Sequence, residues 1–153
     1  AEAMGNNRVA MRLADVLKSA PASPCNASQR CGLSEKYQTS NPVLLKALAL
    51  MEDHQETPLA IRDITAFVGR STRQLERLFL THLGLSPKRF YEGIRVRRAH
   101  WMIVHSEFPS TEIALMCGFA SYSTFAKAFA RQFGINPRAV RSKVQLSRLE
   151  AAE

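Results

Sequence analysis

The chain has 153 residues, 46% of them apolar, which supplies the core of one domain or of one domain with a tail. No stretch approaches about 18 unbroken apolar residues and no secretory signal pattern opens the chain, so neither a membrane span nor a cleaved leader is expected. The net charge of +8 is unevenly placed, because residues 57–148 carry 15 Lys and Arg against 5 Asp and Glu. This excess indicates either polyanion binding or a solvated basic surface, and charge alone does not decide between them.

The first 40 residues are predicted to be a flexible arm or an interdomain linker. Residues 8–18 have the apolar spacing of a short helix, whereas residues 20–40 are rich in Ser, Pro, Asn and Gln. The latter segment buries too little apolar surface to offset the entropy of ordering it. A linker at this place suggests that a further domain precedes it.

The three cysteines, Cys25, Cys31 and Cys117, are an odd number that argues against a disulfide framework. Cys25 and Cys31 have no second pair and no nearby histidine, so no zinc site is predicted. Cys117 lies in an apolar helical pattern and is expected to be a small core residue. No cofactor or metal is expected, and reduced thiols fit a cytoplasmic protein.

The apolar spacing from residue 41 to residue 147 predicts an all-α domain of about seven helices. Asn41 is a good N-cap for a first helix that begins at Pro42. Ser71, Ser121 and Asn136 are expected to start three later helices. The linker helix is expected to bury Val96, Ala99, Met102 and Ile103, and the helix that Ser121 starts is expected to bury Phe125, Ala128, Phe129 and Phe133. The expected parts are a helix-turn-helix unit at about 59–84, a linker helix at about 87–106, a second helix-turn-helix unit at about 110–134 and a frayed tail at 148–153.

One segment of this domain occurs twice. Ile64 and Gly69 return 49 positions later as Ile113 and Gly118. Each copy has the pattern of a short helix, a tight turn and a longer helix, which is typical of a helix-turn-helix unit. Two such units in a basic segment favour DNA binding over an incidental helical corner. With a spacing of 50 positions, Leu75, Phe79, Leu83, Gly84, Leu85 and Pro87 correspond to Phe125, Phe129, Phe133, Gly134, Ile135 and Pro137.

The second helix of each copy presents polar residues away from its apolar face. A helix in the major groove reads bases mainly from its N-terminal turns, where Arg pairs with guanine and Gln with adenine. The alternative for Arg73 and Arg77 is a solvated helix face, and for Tyr122 it is the edge of the hydrophobic core. The residues assigned to base readout are Ser71, Arg73, Gln74 and Arg77 in the first copy and Ser121, Tyr122, Ser123 and Lys127 in the second.

Basic and hydroxyl side chains near these helices are assigned to phosphate contacts, which position a protein on DNA without specifying a sequence. Arg95 is also considered as an internal ion-pair residue. The linker helix of about 20 residues would be ~30 Å long, close to the spacing of about 34–36 Å between successive major-groove faces. One chain could therefore place both recognition helices without forming a homodimer. The phosphate candidates are Thr72, Lys88, Arg89, Thr124, Arg131, Arg138 and Arg141, with Arg95, Arg97, Arg98 and Lys143 as further ones.

Catalytic patterns are absent from the sequence. The four histidines have no metal-ligand spacing, and there is neither a glycine-rich phosphate loop nor a nucleophile elbow. Trp101, between His100 and His105, is expected to pack the linker helix rather than build a site. Three hypotheses remain: a DNA-binding transcription regulator, a protein-interaction bundle with an incidental basic surface, and a small enzyme, which has the least support.

Two motifs carry a family resemblance that covers about residues 41–142. The first is Ser-Thr-Arg-Gln-Leu-Glu-Arg-Leu-Phe at 71–79, followed by Gly-Leu-Ser-Pro at 84–87. The second is the spacing Ile113-Ala114-x3-Gly118-Phe119-x-Ser121-x-Ser123-x-Phe125-x3-Phe129-x3-Phe133-Gly134-x2-Pro137. Together they resemble the AraC/XylS family of bacterial transcription regulators.

The resemblance implies two helix-turn-helix subdomains that read promoter DNA, usually as an activator in contact with RNA polymerase. The chain also resembles the subgroup with a PfpI-like, amidotransferase-like N-terminal domain, which would bind the effector and mediate dimerisation outside this chain. Such a protein would lie on the nucleoid in the bacterial cytoplasm. Two residues of this chain depart from the family pattern. Ala60 stands where the family commonly has a Ser or Thr cap, and Arg70 stands where it more usually has an apolar or small residue. Arg70 is therefore a further candidate for a phosphate contact.

Overall fold

The computed structural model describes residues 32–153, and within these residues every regular element is an α-helix. The predicted all-α class is thereby confirmed. None of these helices is long and apolar enough to cross a membrane. The helices are α1 (including residues 32–37), α2 (Pro42–Asp53), α3 (Ile61–Val68), α4 (Thr72–Leu83), α5 (Pro87–His105), α6 (Ser110–Met116), α7 (Tyr122–Phe133) and α8 (Pro137–Ala151).

Helix α1 lies in the part of the chain that was expected to be a linker. The hydroxyl of Ser34 donates to the carbonyl of Thr39 at 2.8 Å, and the Thr39 amide donates back to the Ser34 carbonyl. These reciprocal bonds stabilise a helical turn despite the polar composition. The expected helix at residues 8–18, together with Cys25 and Cys31, falls outside the described residues.

Several helices begin at side-chain caps, because the first amides of a helix have no partner within it. The Asn41 carboxamide oxygen accepts from the amides of Val43 and Leu44 at 3.0 and 3.1 Å. Asn136 accepts in the same way from the amide of Ala139 at 2.8 Å. Ala60 makes no side-chain cap at the start of α3, as its identity predicts.

The first of two compact units comprises residues 32–50 and 59–86 of the described chain. Helix α3 packs on α4. Both are amphipathic, and the centre of each apolar face is buried, with Ile64 on α3 and with Leu75 and Phe79 on α4. The fully buried side chains include Leu44, Leu48, Ile64, Leu75 and Phe79.

The second unit comprises residues 51–58 and 87–153. Helix α5 packs against α6, α7 and α8, and so forms the centre of this unit. The stripe predicted for the linker helix is confirmed, because Val96, Ala99, Met102 and Ile103 are all buried. Their core partners are Ile113, Ala114, Cys117, Phe119, Phe125, Ala128, Phe129 and Val140.

Three expectations for the second unit are wrong. Phe133 is not buried but 36% exposed, and it stacks on His100 with ring centroids 4.5 Å apart. Trp101 is 62% exposed and contacts His105 across one helical turn instead of packing inward. The tail does not fray after residue 147, because α8 continues to Ala151. Arg148 holds this last stretch by donating to the Val104 carbonyl at 2.9 Å and pairing with Glu107.

Candidate nucleic-acid interface

The first candidate recognition helix, α4, begins with a reciprocal capping box. The Ser71 hydroxyl accepts from the Gln74 amide at 3.2 Å, and the Gln74 side-chain oxygen accepts from the Ser71 amide at 3.1 Å. Two amides that the helix leaves unpaired are satisfied in this way. Both residues were assigned to base readout, and the structure places them at the helix start with these oxygens already engaged. The side-chain nitrogen of Gln74 and the hydroxyl proton of Ser71 remain available as donors.

The outward face of α4 brings together the arginines assigned to base readout. Arg73 and Arg77 are both exposed and lie four residues apart, hence on successive turns of the same face. Within residues 32–153 neither takes part in an ion pair. Arg70 and Thr72, assigned to phosphate, are exposed at the same end of the helix. The first two turns of α4 and the residue before its cap therefore present three exposed guanidinium groups, and none of them forms an ion pair with an acidic side chain of residues 32–153.

The second candidate recognition helix, α7, begins with a simpler cap. Ser121 accepts from the Thr124 amide at 3.2 Å, and the two hydroxyls lie 3.0 Å apart. Ser123 and Lys127 are exposed, as their assignment requires. Tyr122 is half-buried, and its ring meets that of Phe125 edge-on at 5.9 Å between centroids. The ring of Tyr122 thus lies at the edge of the hydrophobic core, which was the alternative to base readout. Only its outer part faces solvent.

The residues assigned to phosphate contact fall into two groups in the second unit. Lys88, Arg89 and Arg138 are exposed, and the Arg138 guanidinium lies over the Tyr122 ring, 5.6 Å from its centroid. Arg131 and Arg141 form the second group. Arg131 pairs with Glu92 at 2.8 Å, and Arg141 donates to the carbonyls of Ser106 and Phe108 beyond the end of α5. Among the further candidates, Arg98 pairs with Glu56 at 2.6 Å, whereas Arg97 and Lys143 are exposed.

Comparison with known proteins agrees with this geometry. A family model described as a helix-turn-helix domain matches residues 64–143. The solved structure of an AraC-type transcriptional regulator from Chromobacterium violaceum is 39% identical in sequence, with a TM-score of 0.63, over 67% of this chain and 92% of that one. The chain belongs to the AraC-type helix-turn-helix family. Its members are transcriptional regulators rather than enzymes.

Two further relatives are informative. The DNA-binding domain of AdpA, solved in complex with a target DNA, is 28% identical with a TM-score of 0.65, over 71% of this chain and 97% of that one. The transcriptional regulator GbdR of Pseudomonas aeruginosa is 38% identical over 110 residues, which are 72% of this chain and 30% of GbdR. The chain therefore spans about a third of the length of this curated relative.

One arginine of this AraC-type domain has a role that the sequence did not indicate. Arg95, considered as an internal ion-pair residue, instead donates through one terminal nitrogen to the carbonyls of Gly118 at 2.9 Å and Cys117 at 3.4 Å. Its guanidinium lies 4.5 Å from the centroid of the Phe119 ring. Burial lowers the pKa of Arg95 from its ordinary value, opposed by the nearby Tyr91 and Glu92. A single arginine between two helices leaves no periodic signal, so sequence reasoning could not find this contact.

Proposed function

We propose that the chain is the DNA-binding part of a sequence-specific transcription regulator that inserts α4 and α7 into adjacent major-groove segments of double-stranded promoter DNA. The observation that carries this proposal is the pair of capped helices with polar N-terminal faces in a basic, AraC-type domain. Helix α5, with 19 residues at ~1.5 Å per residue, is about 28 Å long. This length suits groove segments about 34–36 Å apart.

In this proposal α4 supplies most of the base recognition. Arg73 and Arg77 are separated along the helix by about 6 Å, which corresponds to roughly two base-pair steps. Each can bind one guanine through two hydrogen bonds. Helix α7 offers Ser123, Lys127 and the outer part of Tyr122, a set with less capacity for such paired bonds. The DNA site is therefore asymmetric, with its stronger sequence requirement under α4.

The exposed Arg70, Lys88, Arg89 and Arg138 would hold the phosphate backbone, together with Thr72. Arg131 would first have to leave Glu92, and Arg141 would have to leave the two carbonyls it bonds beyond the end of α5. We therefore assign these two arginines fewer of the phosphate contacts. We further propose that the protein acts as an activator through RNA polymerase, on the bacterial nucleoid. An N-terminal domain of the PfpI-like type would supply effector binding and dimerisation. The family resemblance supports these last assignments.

A mobility-shift titration at several salt concentrations tests the proposal. Specific binding should survive competitor DNA and weaken steeply as salt rises, because bound cations are displaced from the phosphates. Absence of binding to every fragment of the source genome would refute DNA recognition and favour a protein-interaction bundle.

Two single substitutions separate base readers from phosphate anchors. Arg77→Ala should cost about 1–3 kcal/mol and relax the preference at one base pair. Lys143→Ala should weaken binding to all sequences alike and reduce the slope of log K against log salt by about 1. Binding constants for both variants on a panel of singly substituted sites provide the measurement. Equal patterns across the panel would show that the division into readers and anchors is wrong.

A further inference from the structure

The turns of the two helix-turn-helix units differ in what covers them. Gly69 and Gly118 occupy equivalent places in the repeat, and both have left-handed backbone conformations, with φ of +69° and +77°. A Cβ built on Gly69 would meet nothing within 4 Å. A Cβ on Gly118 would lie 2.5 Å from Cδ of Pro58 and 2.8 Å from the Gln55 carbonyl oxygen. Within residues 32–153, another stretch of the chain therefore fills the Cβ position of Gly118, whereas that of Gly69 is open. We call this stretch, residues 54–58, the clamp segment.

The clamp segment is itself tied to α5. The Tyr91 hydroxyl donates to the carbonyl of His54. Arg98 pairs with Glu56 at 2.6 Å, with one-third of the Arg98 side chain exposed. Both ties come from the helix that also carries Arg95: Tyr91 lies about one turn before Arg95, and Arg98 lies about one turn after it. Helix α5 thus holds the second turn from two sides, through the clamp segment and through Arg95.

Arg95 links α5 to the first turn of α7 through a short chain of contacts. Its two carbonyl acceptors, on Cys117 and Gly118, lie at the C-terminal end of α6, where unpaired carbonyls attract a cation. Its guanidinium covers the Phe119 ring, which lies 5.2 Å from the ring of Phe125 on α7. Phe119 and Phe125 are both buried, so neither ring can shift without disturbing the core.

We propose that Arg95 is a positioning residue for DNA recognition by α7, although it faces the protein interior and not the DNA. It fixes the turn from which α7 starts, and hence the place of Ser123 and Lys127 in the groove. The proposal rests on the proposed function. The consequence is selective, since loss of Arg95 should impair readout under α7 and leave readout under α4 intact.

The experiment begins with the DNA site that the wild-type chain selects from a random pool. Arg77→Ala and Lys127→Ala assign its two segments, since each variant should lose the base-pair preference under its own helix. Single base pairs are then substituted in each segment, and the resulting fold-loss of binding affinity, which we call the penalty, is measured for the wild type and for Arg95→Met. Arg148→Met is the matched control, because Arg148 also donates to a helix-end carbonyl in the same unit, but away from the turn.

The wild type should bind a site with one substituted base pair roughly 5–150-fold more weakly in either segment. For Arg95→Met the penalty under α7 should fall below about 3-fold, with hydroxyl-radical protection lost there, while the penalty under α4 stays unchanged. Arg148→Met should keep both penalties. Arg95→Lys, which retains the charge and a donor, should recover part of the α7 penalty.

Equal weakening on all sites with both penalties unchanged would overturn the proposal, since that pattern reflects a stability role alone. Melting curves and helical circular dichroism establish that each variant is folded. If Arg95→Met does not fold, Arg95→Lys carries the test, because it lacks the planar group over Phe119, and wild-type penalties in both segments would then refute positioning. If the wild type selects no site at all, the proposed function fails, an outcome distinct from failure of this inference alone.

Discussion

Replacing Gly118 by alanine tests whether the clamp segment rests on the second turn. An alanine at φ +77° costs about 1–2 kcal/mol in backbone strain. Its methyl group would also meet Pro58 and the Gln55 carbonyl at 2.5 and 2.8 Å, closer than real carbon contacts allow. Forcing such a group into a packed site costs about 1–3 kcal/mol more. The free energy of unfolding should therefore fall by about 2–5 kcal/mol.

Gly134→Ala is the matched control for this substitution. Gly134 lies in the same unit at φ +74°, and a Cβ there would meet nothing within 4 Å. It should therefore lose only the strain term of about 1–2 kcal/mol. The difference between the two variants, about 1–3 kcal/mol, isolates the contact with the clamp segment.

Urea unfolding followed by far-ultraviolet circular dichroism provides the measurement, with linear extrapolation to water. A melting-temperature difference of about 4–8 °C per kcal/mol should accompany it in a domain of this size. If the two variants lose equal stability, the clamp segment does not cover Gly118, and Arg95 alone would connect α5 to the second turn.

Two further predictions concern stability. Ser71→Ala should lower the free energy of unfolding by about 1 kcal/mol, because the Gln74 amide loses its cap, and urea unfolding against Thr81→Ala on the same helix checks this. Burial raises the pKa of the Cys117 thiol above its ordinary value of 9.0, so the unfolded chain ionises first and stability falls as pH rises past that value. Urea unfolding of the wild type and Cys117→Ala at pH values on either side of it should show a smaller alkaline loss in the variant, and identical losses would contradict the assigned burial effect.

The features that sequence predicted well are local ones. Helix caps were predictable because the bonding partners of a cap lie two or three residues away in the chain. The structure shows such caps at Asn41, Ser71, Ser121 and Asn136. The apolar stripe of α5 follows from its spacing for the same reason. The duplicated unit was visible because most of its shared residues are core and turn positions, although Leu85, Phe133 and Ile135 are exposed.

The features that sequence missed depend on distant partners. Arg98 meets Glu56 across 42 positions and Arg148 meets Val104 across 44, so no window of the sequence contains both members. The tail after residue 147 was predicted to fray, but α8 continues to Ala151 and Arg148 ties it to Val104 and Glu107. The base readers remain predictions, since exposure of Arg73 and Arg77 is necessary for their role but does not establish it.

The membership of residues 51–58 in the second unit has a consequence for how the chain folds during synthesis. These residues leave the ribosome before residues 59–86 of the first unit. Their own partners, on α5 and in the α6–α7 turn, come 37 or more positions after them. The first unit can close early, whereas the second must wait for a long loop to close, which slows folding. A fragment that starts at Pro87 would therefore lack eight residues of the second unit. Adding residues 51–58 as a separate peptide should restore the stability that the fragment has lost.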